Sequence, residues 1–298
     1  MKAANCGRSS RRPASRLALA TDADCDPPSR LVAFRQSCNP AILQSCNLQC
    51  LPLLTVFLFL IAVVAGALNA VAGGGSFLGL PALLYAGVAP VAANATTTFA
   101  MWPASVASAV AYRRDISVRP RTLVPMGVVS VAGGLIGGQL LMRTSDLSFL
   151  RLLPWLMLAA TLTFTFSGRL TARLGRGRPH DLSPWALLLQ LAIATYGGYF
   201  GGGIGIMMLA VMSVAGMTNI HEMNGLKVLL AVAINGVALV EFFLHNAVAW
   251  TPGLVMAAGG ICGGYAGAGI ARQLPAERVR MFVTVIAWIL TVYFFVRG

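Results

Sequence analysis

Long apolar runs, separated by short polar or glycine-rich breaks, occupy most of the chain between Leu51 and Val296. Several of these runs reach the roughly 20 residues that an α-helix needs to cross about 30 Å of hydrocarbon. Hydrophobic residues make up 57% of the 298 residues and charged residues only 10%, which is too few to cover the surface of a soluble protein of this length. The sequence therefore predicts an all-α polytopic membrane protein.

The net charge of +13 is spread over loops and does not form one face of one helix. Three basic clusters lie between apolar runs: Arg113, Arg114, Arg119 and Arg121; Arg169, Arg173, Arg176 and Arg178; and Arg272, Arg278 and Arg280. Basic loops beside apolar spans are typical of the cytoplasmic side of a membrane protein. A nucleic-acid-binding protein would concentrate this charge on one surface, so we do not expect nucleic acid as a partner.

Residues 1–50 differ from the rest of the chain, because they are basic, rich in Pro and Ser, and contain five of the six cysteines. These cysteines form no CxxC pair and have no histidine nearby, so we predict neither a metal site nor a disulfide framework. The composition indicates a disordered N-terminal extension. A start site assigned too far upstream is an alternative account of this segment.

Eight apolar segments have spanning length: 51–72, 94–112, 122–142, 147–168, 184–200, 222–244, 252–271 and 279–296. Two shorter apolar segments, 76–88 and 204–216, directly follow glycine clusters and fall below the usual spanning length. The prediction is therefore eight to ten membrane segments, depending on whether the short segments cross the bilayer or re-enter.

The order of features in the first half recurs in the second. Three landmarks match: Gly73, Gly74 and Gly75 with Gly201, Gly202 and Gly203; Asn94 with Asn224; and AGGLIGG from Ala132 with AGGICGG from Ala258. Their separations are 128, 130 and 126 residues, so the register is kept. We predict two tandem repeats, 51–168 and 184–298, each of about four full spans and one short segment, joined by the polar linker 169–183.

The glycine strings have two interpretations. Small residues four apart let helices approach closely, and this packing role is the one we favour for AGGLIGG and AGGICGG. Three consecutive glycines weaken a helix by roughly 1 kcal/mol each, more than close packing requires, so the triple glycines predict unwound turns. Such backbone is tolerated at membrane depth only where it is buried in protein or lines a cavity.

Lys227 lies inside an apolar segment that runs to Leu244. A charge there costs about 2.5 to 3.5 kcal/mol on insertion scales, so it requires a partner or water. Glu222 and Glu241 are poorly placed on the same helix, which leaves three roles open: contact with an anionic substrate, snorkelling to the interface, and pairing with an acid on another helix. Glu241 is also a candidate for proton coupling.

Asn94, Thr96, Thr97 and Thr98 in the first half, and Asn224 in the second, lie near helix starts. Their side chains can donate to oxyanions, and helix N-termini carry partial positive charge, although capping is the more common role of these residue types. The expected substrate-binding set is Gly73, Gly74, Gly75, Asn94, Thr96, Thr97, Gly201, Gly202, Gly203, Asn224 and Lys227.

Enzymatic motifs are missing from the sequence. It has no HExxH, no GxSxG and no clustered carboxylates, so we expect no catalytic activity, metal or cofactor. It also lacks GxxxxGK[ST], which means that energy for any transport would come from a gradient or from a partner protein.

The same residues resemble those of the sulfite exporter TauE/SafE family over about residues 51–298. In the first half the resemblance depends on Gly66, on GGGSFLGLPALLYAG from Gly73 and on Ala93-Asn94-Ala95-Thr96. In the second half it depends on GGYFGGGIGIMMLA from Gly197, on Asn224-Gly225-Leu226-Lys227 and on the stretch that ends at Trp250. The first fifty residues have no counterpart in the family pattern.

The resemblance implies a multi-pass inner-membrane transporter of sulfite, sulfoacetate or related organosulfur or organic anions. Together with the expected substrate-binding set, it predicts a secondary transporter that works by alternating access. An anion channel and a non-transporting membrane anchor or scaffold are the alternatives. The expected partners are a small anionic substrate and the lipid bilayer, and a homo-oligomer is left open.

Overall fold

The computed structural model describes residues 40–72, 74–112, 120–174, 184–217, 219–271 and 276–297. The chain divides into two compact units, Met1–Gln44 and Ser45–Gly298. Apart from the start of the first helix, everything below belongs to the second unit. Of the extension predicted to be disordered over residues 1–50, residues 1–39 lie outside the described residues, as do the basic loop and linker residues 113–119 and 175–183. The prediction is wrong for residues 40–50, because they form the start of α1.

The described residues form ten α-helices and no strand, which confirms the all-helical prediction. They are α1 (Pro40–Ala72), α2 (Ser76–Tyr85), α3 (Pro90–Tyr112), α4 (Pro120–Met142), α5 (Asp146–Leu174), α6 (Pro184–Tyr199), α7 (Ile204–Val214), α8 (Ile220–Leu244), α9 (Trp250–Ala271) and α10 (Ala276–Arg297). Helix α1 begins upstream of the span predicted from Leu51.

Within the described chain, four helices are long and apolar enough to cross a membrane. The qualifying stretches are Pro52–Asn69 of α1, Pro120–Met142 of α4, Asp146–Thr163 of α5 and Glu222–Leu244 of α8. Sequence patterning predicted eight such spans. Helix α3 has 23 residues, but its three threonines, two serines and Asn94 lower its hydropathy. Large apolar side chains such as Val128 and Val240 face outward, as lipid contact requires.

The short helices α2 and α7 have 10 and 11 residues, which at 1.5 Å per residue is about half of the hydrocarbon thickness. Both end in the same way. Gly87 N donates to Leu84 O and Val88 N to Leu83 O; Gly216 N donates to Ser213 O and Met217 N to Met212 O. This pattern satisfies the last carbonyls of each helix and ends both helices two to three residues before the boundary that the sequence predicted.

The string AGGLIGG places α4 directly against α6 and α8. A Cβ on Gly133 would lie 2.9 Å from Leu191 O of α6, and one on Gly134 would lie 2.7 Å from Ile234 O of α8. A Cβ on Gly137 would collide with Thr195 O of α6. The backbones are therefore as close as glycine allows, which confirms the packing interpretation of this string.

The string AGGICGG likewise brings α9 into direct backbone contact with α1 and α3. A Cβ on Gly259 would lie 2.5 Å from Phe59 O of α1, and a Cβ on Gly263 would collide with Val63 O. A Cβ on Gly260 would lie 3.0 Å from Ala100 O of α3. Further packing joins α3 to α8, α5 to α10 and α7, and α2 to α3 and α10.

Candidate functional site

A small cavity of about 50 Å³ lies where α1, α2, α3, α7 and α8 meet the turn between α6 and α7. Both halves of the chain contribute to its wall. Polar side chains form much of the lining: Asn69, Ser76, Thr98, Ser105, Ser108, Lys227 and Asn235. The apolar residues Met101, Ile204, Val228 and Ala231 and the glycines Gly201 and Gly205 complete it.

The two glycine clusters interrupt the helices beside this cavity, as the sequence predicted. Helix α1 ends before the first cluster and α2 begins after it, while α6 and α7 flank the second. Gly201 and Gly203 both have φ of 78°, a left-handed conformation that glycine adopts without strain. Gly73 lies outside the described residues, and Gly74 is buried.

Helices α2 and α7 begin at the cavity, because Ser76, Ile204 and Gly205 all line it. The first N–H groups of a helix have no partner within that helix, and together with the helix dipole they favour negative charge nearby. Two short helices therefore direct partial positive charge toward one polar space.

Lys227 of α8 lines the cavity, and its Nζ donates to Asn224 Oδ1 at 3.1 Å. Its stem crosses Gly205, where a Cβ would lie only 3.3 Å from Lys227 Cδ. Among the residues that the structure describes, no carboxylate forms a salt bridge with Lys227. The ammonium group is thus hydrogen-bonded to an amide oxygen, and Lys227 adds a positive charge to the wall of the cavity.

Asn94 and the neighbouring threonines are buried, and each of them already makes a hydrogen bond within the protein. Asn94 Nδ2 donates to Tyr199 O at 2.8 Å and so satisfies a terminal carbonyl of α6. Thr96 Oγ1 accepts from Ala249 N at 2.9 Å, and Thr97 Oγ1 donates to Ala93 O. Thr98 alone of this group lines the cavity.

Of the expected substrate-binding set, Gly201 and Lys227 line the cavity, and Asn224 is tied to it through Lys227. Gly75 packs against α1, and a Cβ at this position would lie 2.6 Å from Ala65 O. The space beside Gly202 is filled by the ring of Phe200. The structure thus gathers part of the expected set around the cavity and places the rest in the surrounding packing.

Sequence reasoning missed several cavity residues, among them Asn69 of α1 and Asn235 of α8. Asn69 Nδ2 donates to Ser105 Oγ at 3.1 Å, whereas Asn235 Oδ1 is buried and has no hydrogen-bond donor within the described part of the chain. An amide inside an apolar span was the signal available for both residues, because polar groups at membrane depth require a partner or a cavity.

Glu241 lies toward the other end of α8 from Lys227, fourteen residues or about 21 Å along the axis. Its Oε1 accepts from Gln139 Nε2 at 3.4 Å, and its Oε2 lies 3.9 Å from His245 Nδ1. It does not line the cavity. Across the described residues, no three His, Cys, Asp or Glu side chains are grouped as a metal site would need.

Comparison with known proteins gives one family and several relatives. Residues 58–294 match the family described as Sulfite exporter TauE/SafE. A probable membrane transporter protein from a Sinorhizobium species is 29% identical over 238 residues, which cover 78% of this chain and 89% of the relative. One from Haemophilus influenzae is 28% identical over 239 residues, covering 80% and 93%. One from Xylella fastidiosa is 30% identical over 222 residues, covering 72% and 84%. No solved structure gives a significant match.

Proposed function

This chain belongs to the sulfite exporter TauE/SafE family, and from that premise we propose that it is a secondary transporter of a small anion in the inner membrane. It is a multi-pass membrane protein of a transporter family. The substrate class is sulfite, sulfoacetate or a related organosulfur or organic anion. The mechanism is alternating access around the cavity described above.

A two-repeat architecture underlies this proposal, and the helix contacts support it. Each helix of the first half can be paired with the helix five positions later, α1 with α6 through α5 with α10. Under this pairing the contacts α4–α6, α4–α8 and α5–α7 correspond to α9–α1, α9–α3 and α10–α2. All three of the corresponding contacts are also present. The contacts α3–α8 and α5–α10 map onto themselves. We propose inverted repeats, because that arrangement puts all three basic loops on the cytoplasmic side.

The observation that carries the proposal is Lys227, whose ammonium group lines a polar cavity without an acidic partner among the described residues. A lone positive charge at membrane depth is costly unless an anion or water balances it. The N-terminal ends of α2 and α7 add partial positive charge at the same place. An anionic substrate would satisfy all three groups at once.

A transport assay with variants of Lys227 tests the proposal. We expect Lys227→Met to lower saturable anion uptake into proteoliposomes by at least about tenfold, because the variant keeps the stem and loses the charge. Lys227→Arg should retain measurable uptake, since it keeps the charge. The readout is initial uptake rate across a panel of sulfur oxyanions and carboxylates. Wild-type flux in a well-expressed Lys227→Met protein would remove Lys227 from the site.

The same assay separates the alternative functions. A channel would show conductance that does not saturate with anion concentration, whereas a membrane anchor or scaffold would show no flux of any anion in the panel. Saturable uptake of one substrate class with counterflow would support alternating access.

Glu241 is proposed as a proton carrier in this cycle. Glu241→Gln should then abolish the dependence of uptake on a pH gradient while leaving anion exchange in place. Glu241 is too far from Lys227 to contact an anion bound there, and the proposal gives it no role in anion binding. Uptake that responds to the pH gradient as in the wild type would exclude Glu241 as the carrier.

A further inference from the structure

The cavity that Lys227 lines is small, and its size limits what can bind there. A water molecule occupies roughly 10 to 15 Å³ of a cavity's open volume, so the volume of about 50 Å³ has room for about four water-sized atoms. Sulfite, a sulfur atom with its oxygens, is of this size. Sulfoacetate carries a carboxymethyl group in addition and needs more space. The residues that close the wall therefore decide how large a substrate can be.

Apolar side chains close the wall between the polar groups: Met101, Ile204, Val228 and Ala231. Met101 of α3 has the longest of these side chains and is only 4% exposed. Met101 lies seven residues after Asn94, and Ala231 lies seven residues after Asn224, so they hold corresponding positions in the two halves. The first half thus places a large side chain at the cavity where the second half places a methyl group.

Packing fixes the end of the Met101 side chain. Its Sδ lies 3.1 Å from the position that a Cβ on Gly75 would take, and its Cε lies 3.0 Å from that of a Cβ on Gly260. The thioether therefore occupies the space that side chains at these two positions would need. Methionine is usually a flexible side chain that adapts to its surroundings. Here the first glycine turn and the backbone of α9 hold it against the cavity.

We propose that Met101 is a specificity-determining residue, which limits the anion site to compact sulfur oxyanions and excludes those with a longer carbon chain. The inference rests on the function proposed above, because it takes the cavity as the place where the anion binds. Lys227 and the starts of α2 and α7 act on the charged head of the anion, whereas Met101 acts on the rest of the molecule. Charge recognition and size selection therefore belong to different side chains.

Binding is tested on the purified full-length chain in detergent with straight-chain alkanesulfonates, from methanesulfonate to butanesulfonate. These anions share one charged head and differ only in length. The rise of the thermal unfolding midpoint with anion concentration gives a half-saturating concentration, since a ligand of the folded state stabilises it. For the wild type we expect butanesulfonate to bind at least about tenfold more weakly than methanesulfonate, because added methylene groups meet a closed wall. Equal binding along the series would overturn the size limit.

Met101→Ala removes the Cγ, Sδ and Cε atoms from the wall. We expect it to reduce the difference between butanesulfonate and methanesulfonate to less than about threefold, because the longer chain then has space. Met101→Val covers the case in which Met101→Ala does not fold, and it should change the preference in the same direction by a smaller factor. A preference for short chains that stays as in the wild type would overturn the role of Met101.

Met256→Ala is the matched control. Met256 of α9 is a fully buried methionine, but it lies outside the cavity lining. The variant should lose stability through the empty space that it leaves and should keep the wild-type preference for short chains. A preference that relaxes as much in Met256→Ala as in Met101→Ala would overturn the inference, since loosened packing would then explain both results.

A flux measurement with the same anions separates this inference from the proposed function. Saturable uptake that does not depend on chain length contradicts the size limit and leaves the transport proposal intact. Binding that depends on chain length, without flux of any anion, supports the size limit and contradicts transport. Uptake of butanesulfonate by Met101→Ala but not by the wild type supports both. Neither binding nor flux of any anion in the series contradicts both.

Discussion

At the scale of single residues, the polar side chains within the helices divide into those that hold helices together and those that face the cavity. Asn94 belongs to the first group, because its amide donates to the last carbonyl of α6. Lys227 and Asn235 belong to the second. Residue type does not separate these groups, since asparagines occur in both. What decides the role is whether a neighbouring backbone group already uses the side chain's hydrogen-bonding capacity.

Asn94→Ala tests the structural role of the first group. Removing the amide leaves Tyr199 O without its donor, so we expect a loss of about 1 to 3 kcal/mol in the free energy of unfolding. The thermal midpoint in detergent measures this loss. Gln139→Ala is the control, because Gln139 is exposed and its contact with Glu241 spans 3.4 Å, and it should change stability by less than about 0.5 kcal/mol. An Asn94→Ala protein as stable as the control would contradict the role of Asn94 at the end of α6.

At the scale of helices, glycine has two separate uses in this protein. The clusters near 75 and 201 end long helices and begin short ones, whereas the glycines of α4 and α9 bring backbones into contact. The sequence distinguished the two uses, because consecutive glycines weaken a helix and glycines spaced by four leave it intact. It could not show which helices the spaced glycines would meet, since that depends on packing between segments more than a hundred residues apart.

Gly137→Ala and Gly263→Ala test the contacts between helices. Each new methyl group would collide with a backbone carbonyl, of Thr195 and Val63 respectively, so we expect a loss of about 1 to 3 kcal/mol in the free energy of unfolding. Gly127→Ala in α4 is the matched control, because a Cβ there has nothing within 4 Å. It should leave stability unchanged or raise it by up to about 1 kcal/mol through better helix propensity. Similar thermal midpoints for all three variants would contradict the close contacts.

At the scale of the whole molecule, the fold class and the place of the cavity beside the glycine turns followed from the sequence, whereas most of the cavity's lining did not. Apolar runs and glycine clusters are local signals, so they can be read from the order of residues. Thr98, Ser105 and Asn69 are ordinary residues of apolar helices until folding brings α1 and α3 together with α8. The sequence did not distinguish ligand contact from a structural role for Asn94 and Thr96, since their partners Tyr199 and Ala249 are far along the chain.

The proposed inversion of the repeats predicts on which side the basic loops lie. Single cysteines at positions 117, 176 and 273, in a background without native cysteines, should all react with an impermeant maleimide from the cytoplasmic side. This result follows if each short helix, together with the chain on either side of it, crosses the bilayer, because each repeat then contains five crossings. Labelling of position 273 from the opposite side, with 117 and 176 cytoplasmic, would indicate re-entrant short helices and parallel repeats.

The glycine contacts of α4 with α6 and of α9 with α1 also limit how the protein can move. In each pair one helix comes from the first half and the other from the second, and no methyl group fits between their backbones. Helices in such close contact cannot slide past each other, so each pair should move as one rigid body. The plane along which the cavity opens would then cut through each half of the chain, and the boundary between the two halves would not mark the hinges.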